Sequence, residues 1–326
     1  YYQCTKNAFA LQMVENTIAN MRRGGIYDHI GFGFHRYATD ERWVVPHFEK
    51  MLYDQALLAL AYIEAYQITR KEEYAQTARE IFTYVLRNMT DAESGFYCAE
   101  DADSEGVEGK FYLWTREEVE NILPPADADL FLRLFRHDQD EEMHGMREIP
   151  PGHFIPHLAP PSGELNTITR EIRQKLFAAR KQRVHPLKDD KILADWNGLM
   201  IAALSRAAQV FDEPLYLAAA QKAADFIFAR MSDEQGRLLH RWRTGNASIE
   251  GMLDDYAFFI WGLLELYETG WQIKYLQKAL ELNRQMLDNF WDEKNGGLFF
   301  TSDQAQELLV RPKEAQDGAL PSGNSA

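Results

Sequence analysis

Between Gly24 and Asp54 the chain reads GGIYDHIGFGFHRYATDERWVVPHFEKMLYD, a loop in which His35, His47 and Glu49 stand among glycines and aromatic rings. A histidine beside a carboxylate transfers protons near neutral pH. His47 with Glu49 is therefore the first candidate acid/base pair, and His35 a second acid/base group. Loops of this composition, held by a rigid scaffold, commonly carry function. Further candidates recur along the chain at comparable places. Asp54 opens an apolar stretch, Glu100 and Asp101 follow a glycine turn, Asp190, Asp195 and Asn197 precede another apolar stretch, and Asp254 and Asp255 open a third. One protonated and one ionised carboxyl could together cleave a bond placed between them, with Asp101 or Glu100 and Asp255 as the pair. Asp54, Asn197 and Asp255 also suit plain helix capping, since Asn and Asp satisfy free amides at helix starts.

The elements that must position these groups are helical. Residues 7–23 carry apolar side chains at helical spacing on one side and stop at Gly24-Gly25. ALLALAYIEAY (56–66) is apolar nearly all round and suits a helix buried on every side, whereas EYAQTAREIFTYVLRNM has one apolar face and should cover it. SGFYCAEDADSEGVEGKFYLWT then reads as a short β-hairpin. The same order returns with WNGLMIAALSRAAQVF (196–211), LYLAAAQKAADFIFARM (215–231) and DEQGRLLHRW, and again with DDYAFFIWGLLELYE (254–268), KYLQKALELNRQMLDNFW (274–291) and DEKNGGLFF. Matching Gly95, Gly236 and Gly297, and Asn197 with Asp255, gives a period of about sixty to seventy residues. The unit between 115 and 190 is irregular: TREEVENIL and ADLFLRLFRH supply its inner helix, NTITREIRQKLFAARKQR its outer one, and a proline-rich loop lies between.

Alternating buried and covering helices form two layers. Closed on themselves they make an all-α (α/α) toroid with short hairpins between helical pairs; an open solenoid shares the local pattern but does not require hairpins rich in aromatics and acids at one end. An orphan outer helix, four pairs and the start of another inner helix at Pro321 fall short of the six pairs that complete a ring. Residues 1–326 are thus expected to be a toroid domain truncated at both ends, with an irregular insertion at about 137–165, and prone to association when isolated.

Composition limits the partners. A formal charge of −15 argues against nucleic acid as a partner. Cys4 and Cys98 form no C-x-x-C pair, so a disulfide framework or thiolate metal site is not expected and a reducing cytoplasm suits the chain. No apolar run reaches the length of a membrane span. DADSEGVEGKFY begins like a calcium-binding EF-hand loop but places Tyr112 where the closing glutamate belongs, and His137, His144, His153 and His157 show no tight pairing, so neither metal nor cofactor is expected.

VPHFEKMLYDQALLALAY, GFYCAEDADSEGVEGKFYLWT, DDKILADWNGLMIAAL, DDYAFFIWGLLELYE and DGALPSGNS together resemble the YyaL-like, thioredoxin-domain-containing family that includes the spermatogenesis-associated thioredoxin-like proteins. Phe32 and Gln55 depart from otherwise matching motifs. The resemblance implies a thioredoxin-like domain on the N-terminal side, absent from this chain, followed by a six-hairpin glycosidase-like (α/α)6 toroid similar to the N-acylglucosamine 2-epimerase barrels. Three functions follow as expectations. The first is sugar epimerisation or isomerisation by proton transfer beside an opened sugar's carbonyl, with His47, Glu49 and His35. The second is glycoside hydrolysis with Asp101 or Glu100 and Asp255. The third is a binding or scaffolding module for the thioredoxin-like domain. Arg36, Tyr37, Trp43, Tyr53, Trp114, Trp196 and Tyr256 would stack and orient a sugar ring, with Asp54, Glu100, Asp190 and Asn197 hydrogen-bonding its hydroxyls.

Overall fold

The computed structural model describes residues 2–135, 149–158, 170–304 and 309–326, and its backbone clusters into two compact units. One holds Tyr1–Met51, Thr69–Tyr84 and Glu100–Lys188; the other holds Leu52–Ile68, Val85–Ala99 and Asp189–Ala326. In chain order the helices are α1 (Tyr2–Thr5), α2 (Ala8–Arg23), α3 (Leu52–Thr69), α4 (Glu72–Asn88), α5 (Arg116–Ile122), α6 (Pro125–Phe135), α7 (Arg170–Arg180), α8 (Ala194–Phe211), α9 (Pro214–Arg230), α10 (Leu253–Gly270) and α11 (Ile273–Phe290). The insertion expected at about 137–165, with His137 and His144, lies mostly outside the described residues. Among the described residues no helix is long and apolar enough to cross a membrane.

In the second unit the two kinds of helix differ as their sequences dictate. α8 and α10 are buried over most of their surface, from Ala194 to Ala208 and from Leu253 to Leu266, while α11 buries only Tyr275, Ala279, Leu282 and Phe290. Glycine sets the spacing of the buried pair. A Cβ on Gly198 would lie 2.5 Å from the Phe258 carbonyl carbon, and one on Gly262 would lie 2.6 Å from Gly198 O. α8 and α10 therefore approach at backbone distance, which a side chain would forbid. α8 stops at Asp212 in the left-handed region (φ +56°), and Pro214 opens α9 in the first helical turn, where its missing N–H costs nothing.

The repeat is visible as a shared hydrogen-bond device. In three turns of the second unit an aspartate closes the loop through its backbone: Asp91 N donates to Gly95 O, Asp233 N to Arg237 O and Asp292 N to Gly297 O. Just beyond, one backbone N–H of each turn is taken by a side chain from a following segment. Phe96 N donates to Asn197 Oδ1 at 2.8 Å, Leu238 N to Tyr256 Oη at 3.2 Å and Leu298 N to Asn324 Oδ1 at 2.8 Å. Asn197 and Tyr256 are both the fourth residue of their helices, so the register of the repeat matches Asn197 to Tyr256 rather than to Asp255. Asn197 also donates through Nδ2 to Phe96 O and Leu193 O, at full burial. Replacing it by alanine orphans buried backbone groups, and we expect a loss of about 2–4 kcal/mol, read as a lower thermal midpoint.

The first unit is built around buried charge. α2 starts at Asn7, whose side chain accepts from Phe9 N at 3.0 Å, and ends at Gly24. Gly24 and Gly25 lie so close to the Trp43 and Val44 carbonyls that a Cβ would come within 2.2 and 2.1 Å of them. Apolar residues of α5, α6 and α7, among them Val119, Phe131 and Leu176, pack with Trp114. Arg180 clasps Asp28 through two hydrogen bonds of 2.9 and 2.7 Å, and Lys50 Nζ adds a third at 2.8 Å, all three residues being buried. Lys50 also donates to Phe32 O at 2.8 Å and lies 4.5 Å from the Tyr84 ring centroid. The first of the expected hairpins is built differently. SGFYCAEDADSEGVEGKFYLWT does not form a single hairpin; Asp103–Ser104 pairs with Val107–Glu108 around Gly106, and Trp114–Thr115 pairs with His153–Phe154.

Candidate functional site

In the first unit, the antiparallel pair Tyr37–Ala38 with Pro46–His47 sets Tyr37 opposite His47, and their rings stack at 5.1 Å. Asp40 holds the intervening loop by accepting from the backbone N–H groups of Arg42, Val44 and Val45. His47 Nε2 lies 2.9 Å from Glu49 Oε2, and its Nδ1 lies 2.8 Å from Glu108 Oε1. Arg36 reaches Glu49 Oε2 at 2.9 Å. His47, Glu49, Arg36 and Tyr37 thus meet at a partly exposed surface, joined by Glu108. Both ring nitrogens of His47 face carboxylates, so the ring has none left for a substrate while these contacts stand.

The remaining candidates of this unit lie in other surroundings. His35 is buried, with Nδ1 on Phe48 O at 2.9 Å and its ring edge-on to Tyr112. Burial, followed by the charge of Lys50, pushes its pKa down to about 3. Glu100 is buried and accepts from Tyr84 Oη at 2.8 Å. Asp101 is exposed and accepts from Asp103 N. Trp114 is fully buried beneath the Arg183 guanidinium, 4.2 Å from its ring, and half-buried Trp43 takes a positive φ of 64°. A histidine that is neutral when folded and protonated when unfolded makes stability fall as pH falls. His35's contribution is complete above the unfolded value near 6.5 and fades as pH drops toward about 3, by up to about 1.4 kcal/mol per pH unit. Denaturant midpoints measured from pH 7 to pH 4 should fall less steeply for His35→Gln than for the parent.

The second unit assembles a different cluster. Asp255 Oδ1 accepts from Asp195 N at 3.1 Å, and its Oδ2 accepts from Met252 N at 2.8 Å, which fixes the start of α10. The strand Leu239–Arg243 pairs with Ile192–Leu193 and turns back at Gly245 to pair with Asn246–Glu250. His240, carried on it, sets Nδ1 against both Asp255 oxygens at 3.0 and 3.1 Å. Its side chain is about one-fifth exposed, while that of Asp255 is buried. Among the described residues Nε2 of His240 meets no hydrogen-bond partner. Asp195 is pushed well up by burial and then by the Asp255 charge. Burial works against a charged His240, but its hydrogen bond to Asp255 and the charge of Asp255 outweigh this and raise it. Asp254, whose Oδ1 accepts from Gly323 N at 2.8 Å, is raised by burial to about 6.

Of the residues named from sequence, Asp195 and Asp255 belong to this cluster and Trp196 adjoins it, donating its backbone N–H to Asp195 Oδ1 at 2.7 Å. Tyr53 packs edge-on to Trp196 at 4.8 Å, and Asp54 lies in the first turn of α3. Asp190 pairs with Arg243 at 2.6 Å. Asn197 and Tyr256 are taken up by the hairpin contacts described above. His240 is the member that sequence reasoning missed. Asp195, His240 and Asp255 also offer atoms within 4.8 Å of one another, close enough to hold a cation. The backbone N–H groups and His240 already engage both Asp255 oxygens, so hydrogen bonding accounts for the cluster without one.

Solved structures of similar backbone define the class. An unsaturated glucuronyl hydrolase from Bacillus sp. GL1 matches 94% of this chain and 64% of its own with a TM-score of 0.53 at 12% identity. An α-1,6-mannanase from Salegentibacter sp., made inactive by replacing two consecutive aspartates and bound to α-1,6-mannotetrose, matches 91% of this chain and 62% of its own with a TM-score of 0.54 at 13% identity. The fold is that of the (α/α)6, six-hairpin glycosidase-like toroids. Over 97% of its length the chain is 37% identical to human spermatogenesis-associated protein 20 and spans 45% of that protein, about half the length of the curated relatives it matches. It belongs to the family of these spermatogenesis-associated thioredoxin-like proteins. No family model matches the chain.

Proposed function

We propose that this is a carbohydrate-active toroid working by proton transfer on an opened sugar, with Asp195, His240 and Asp255 as its reacting centre. The observation that carries this reading is the asymmetry of His240, with one ring nitrogen held by Asp255 and the other without a partner among the described residues. Asp255 acts as a positioning residue that fixes the Nδ1–H tautomer. Neutral His240 takes a proton through Nε2 from the carbon beside the carbonyl, and the Asp195 carboxyl, kept in its acid form, donates to the oxygen on which charge develops. When the enediol turns its other face to the ring, Nε2–H of His240 returns the proton to that face, the C=O re-forms and Asp195 takes its own proton back, which gives the epimer. The His47, Glu49 and Glu108 set is in this reading a structural ion cluster, with Arg36 and Tyr37 around it.

The pH profile follows from the two shifts. Activity requires His240 without its ring proton at Nε2, and the raised value of that histidine moves its deprotonation above the ordinary 6.5. It also requires Asp195 to keep its proton, which the upward shift of that carboxyl favours. The rising limb should therefore lie above pH 6.5, read as initial rates across a buffer series.

Hydrolysis is a second reading, favoured by Asp254 and Asp255. They are consecutive, as are the aspartates whose loss inactivates the mannanase, and Asp254 titrates at about 6, suited to a general acid. A sugar ligand, a thioredoxin-like companion domain and a cytoplasmic setting, which agrees with the unpaired thiols of Cys4 and Cys98, belong to the same proposal. Proton NMR of the full-length protein in heavy water with a panel of reducing sugars and oligosaccharides separates the cases. Deuterium entering beside the carbonyl supports the epimerase, new reducing ends support the hydrolase, and neither leaves a binding module.

A further inference from the structure

Beside the buried charges of the first unit lies a cavity of about 10 Å³, room for a single water molecule. Its walls include Asp28, His35, Phe48, Tyr112, Ile155 and Arg180, all of them buried. Three polar atoms of these walls lack a protein partner. Tyr112 Oη and Arg180 Nε are buried without a hydrogen bond. His35 supplies the third. A carbonyl can only accept, so the 2.9 Å contact with Phe48 O puts the ring proton on Nδ1 and leaves a lone pair on Nε2, which meets no partner among the described residues. The lowered pKa of His35 keeps that lone pair free of a proton at neutral pH. The His35 and Tyr112 rings meet edge to face at 4.6 Å, and the Arg180 guanidinium lies 5.3 Å from the Tyr112 ring centroid. Three unpaired groups around one cavity call for a common partner, because buried polar groups are almost always hydrogen-bonded.

The geometry points to one buried water bound by Tyr112, Arg180 and His35. It accepts from the Tyr112 hydroxyl and from Arg180 Nε–H and donates to His35 Nε2, the three bonds typical of an internal water. With it, every nitrogen of the Arg180 guanidinium is engaged, two by Asp28 and one by the water. Ions suit the site poorly. A cation would be repelled by Arg180 and Lys50, and an anion would face the Asp28 carboxylate and the His35 lone pair. The small volume excludes an organic ligand. His35 thereby holds a water for the charged centre of the first unit, and nothing in this inference depends on the chemistry assigned to His240.

Tyr112→Phe keeps the ring and removes only the hydroxyl, so the sign of its effect decides the matter. If the hydroxyl donates to a water, its loss removes a hydrogen bond and the thermal midpoint of the full-length protein should fall by about 1–2 °C. If the hydroxyl is unpaired, its removal relieves a burial penalty and the midpoint should rise. A high-resolution crystal structure of the full-length protein should show density within hydrogen-bond distance of Tyr112 Oη, Arg180 Nε and His35 Nε2, with no anomalous signal there after bromide replaces chloride. A midpoint that rises or stays unchanged in Tyr112→Phe, a cavity without density, or bromide at the site would overturn the assignment.

Discussion

Arg180→Ala should destabilise the protein by about 3–5 kcal/mol, the usual consequence of removing one partner of a buried ion pair. The side chain makes two hydrogen bonds to Asp28 with both groups buried, and its loss leaves the carboxylate to Lys50 and the nearby backbone N–H groups. Burial by itself would raise the Asp28 pKa, but Arg180 and Lys50 outweigh it and hold the carboxyl well below its ordinary value. A depressed folded pKa stabilises above the unfolded value near 3.8, and that contribution is lost as pH falls through the folded one. Arg180→Lys keeps the charge but not the planar fork, so it should cost less than alanine yet fall short of the parent. Denaturant midpoints at neutral pH distinguish the three proteins, and the slopes should stay equal if the compactness of the unfolded state is unchanged.

His240→Gln should lower turnover by about 10²–10⁴-fold, the span of general acid/base catalysis, with little change in KM. Glutamine keeps a polar group near Asp255 but cannot cycle a proton. Asp255→Asn should act in the same direction through the histidine, because an amide facing Nδ1 no longer enforces the N–H tautomer. Its loss will include a stability component, since Asp255 also accepts from Met252 N and Asp195 N. A stabilising osmolyte that restores the fold of Asp255→Asn without restoring turnover distinguishes positioning from capping.

The helices are legible because their burial follows hydrophobic periodicity, from the all-round apolar α8 to the one-sided α11. The hairpin turns are legible through their glycines. The partner of Asp255 is not, because no local spacing ties His240 to a residue fifteen positions later. The signal lies in strand register: pairing Leu193 with Arg241 carries the preceding His240 toward the start of α8. Glu108 is hidden for a similar reason, lying sixty-one residues after His47 in a hairpin of its own. Asn197 and Tyr256 have the residue types of a binding site, yet their polar groups complete hairpin backbones. Sequence places such residues near a helix start without showing which neighbour consumes their hydrogen bonds.

Whether His240 or His47 moves the proton is tested most directly by deuterium incorporation into a reducing sugar, followed side by side for the full-length protein, His240→Gln and His47→Ala. Exchange by the parent, its loss in His240→Gln, and retention within about threefold in His47→Ala are the expected results. Exchange that survives in His240→Gln but disappears in His47→Ala would contradict the assignment of His240 as the base.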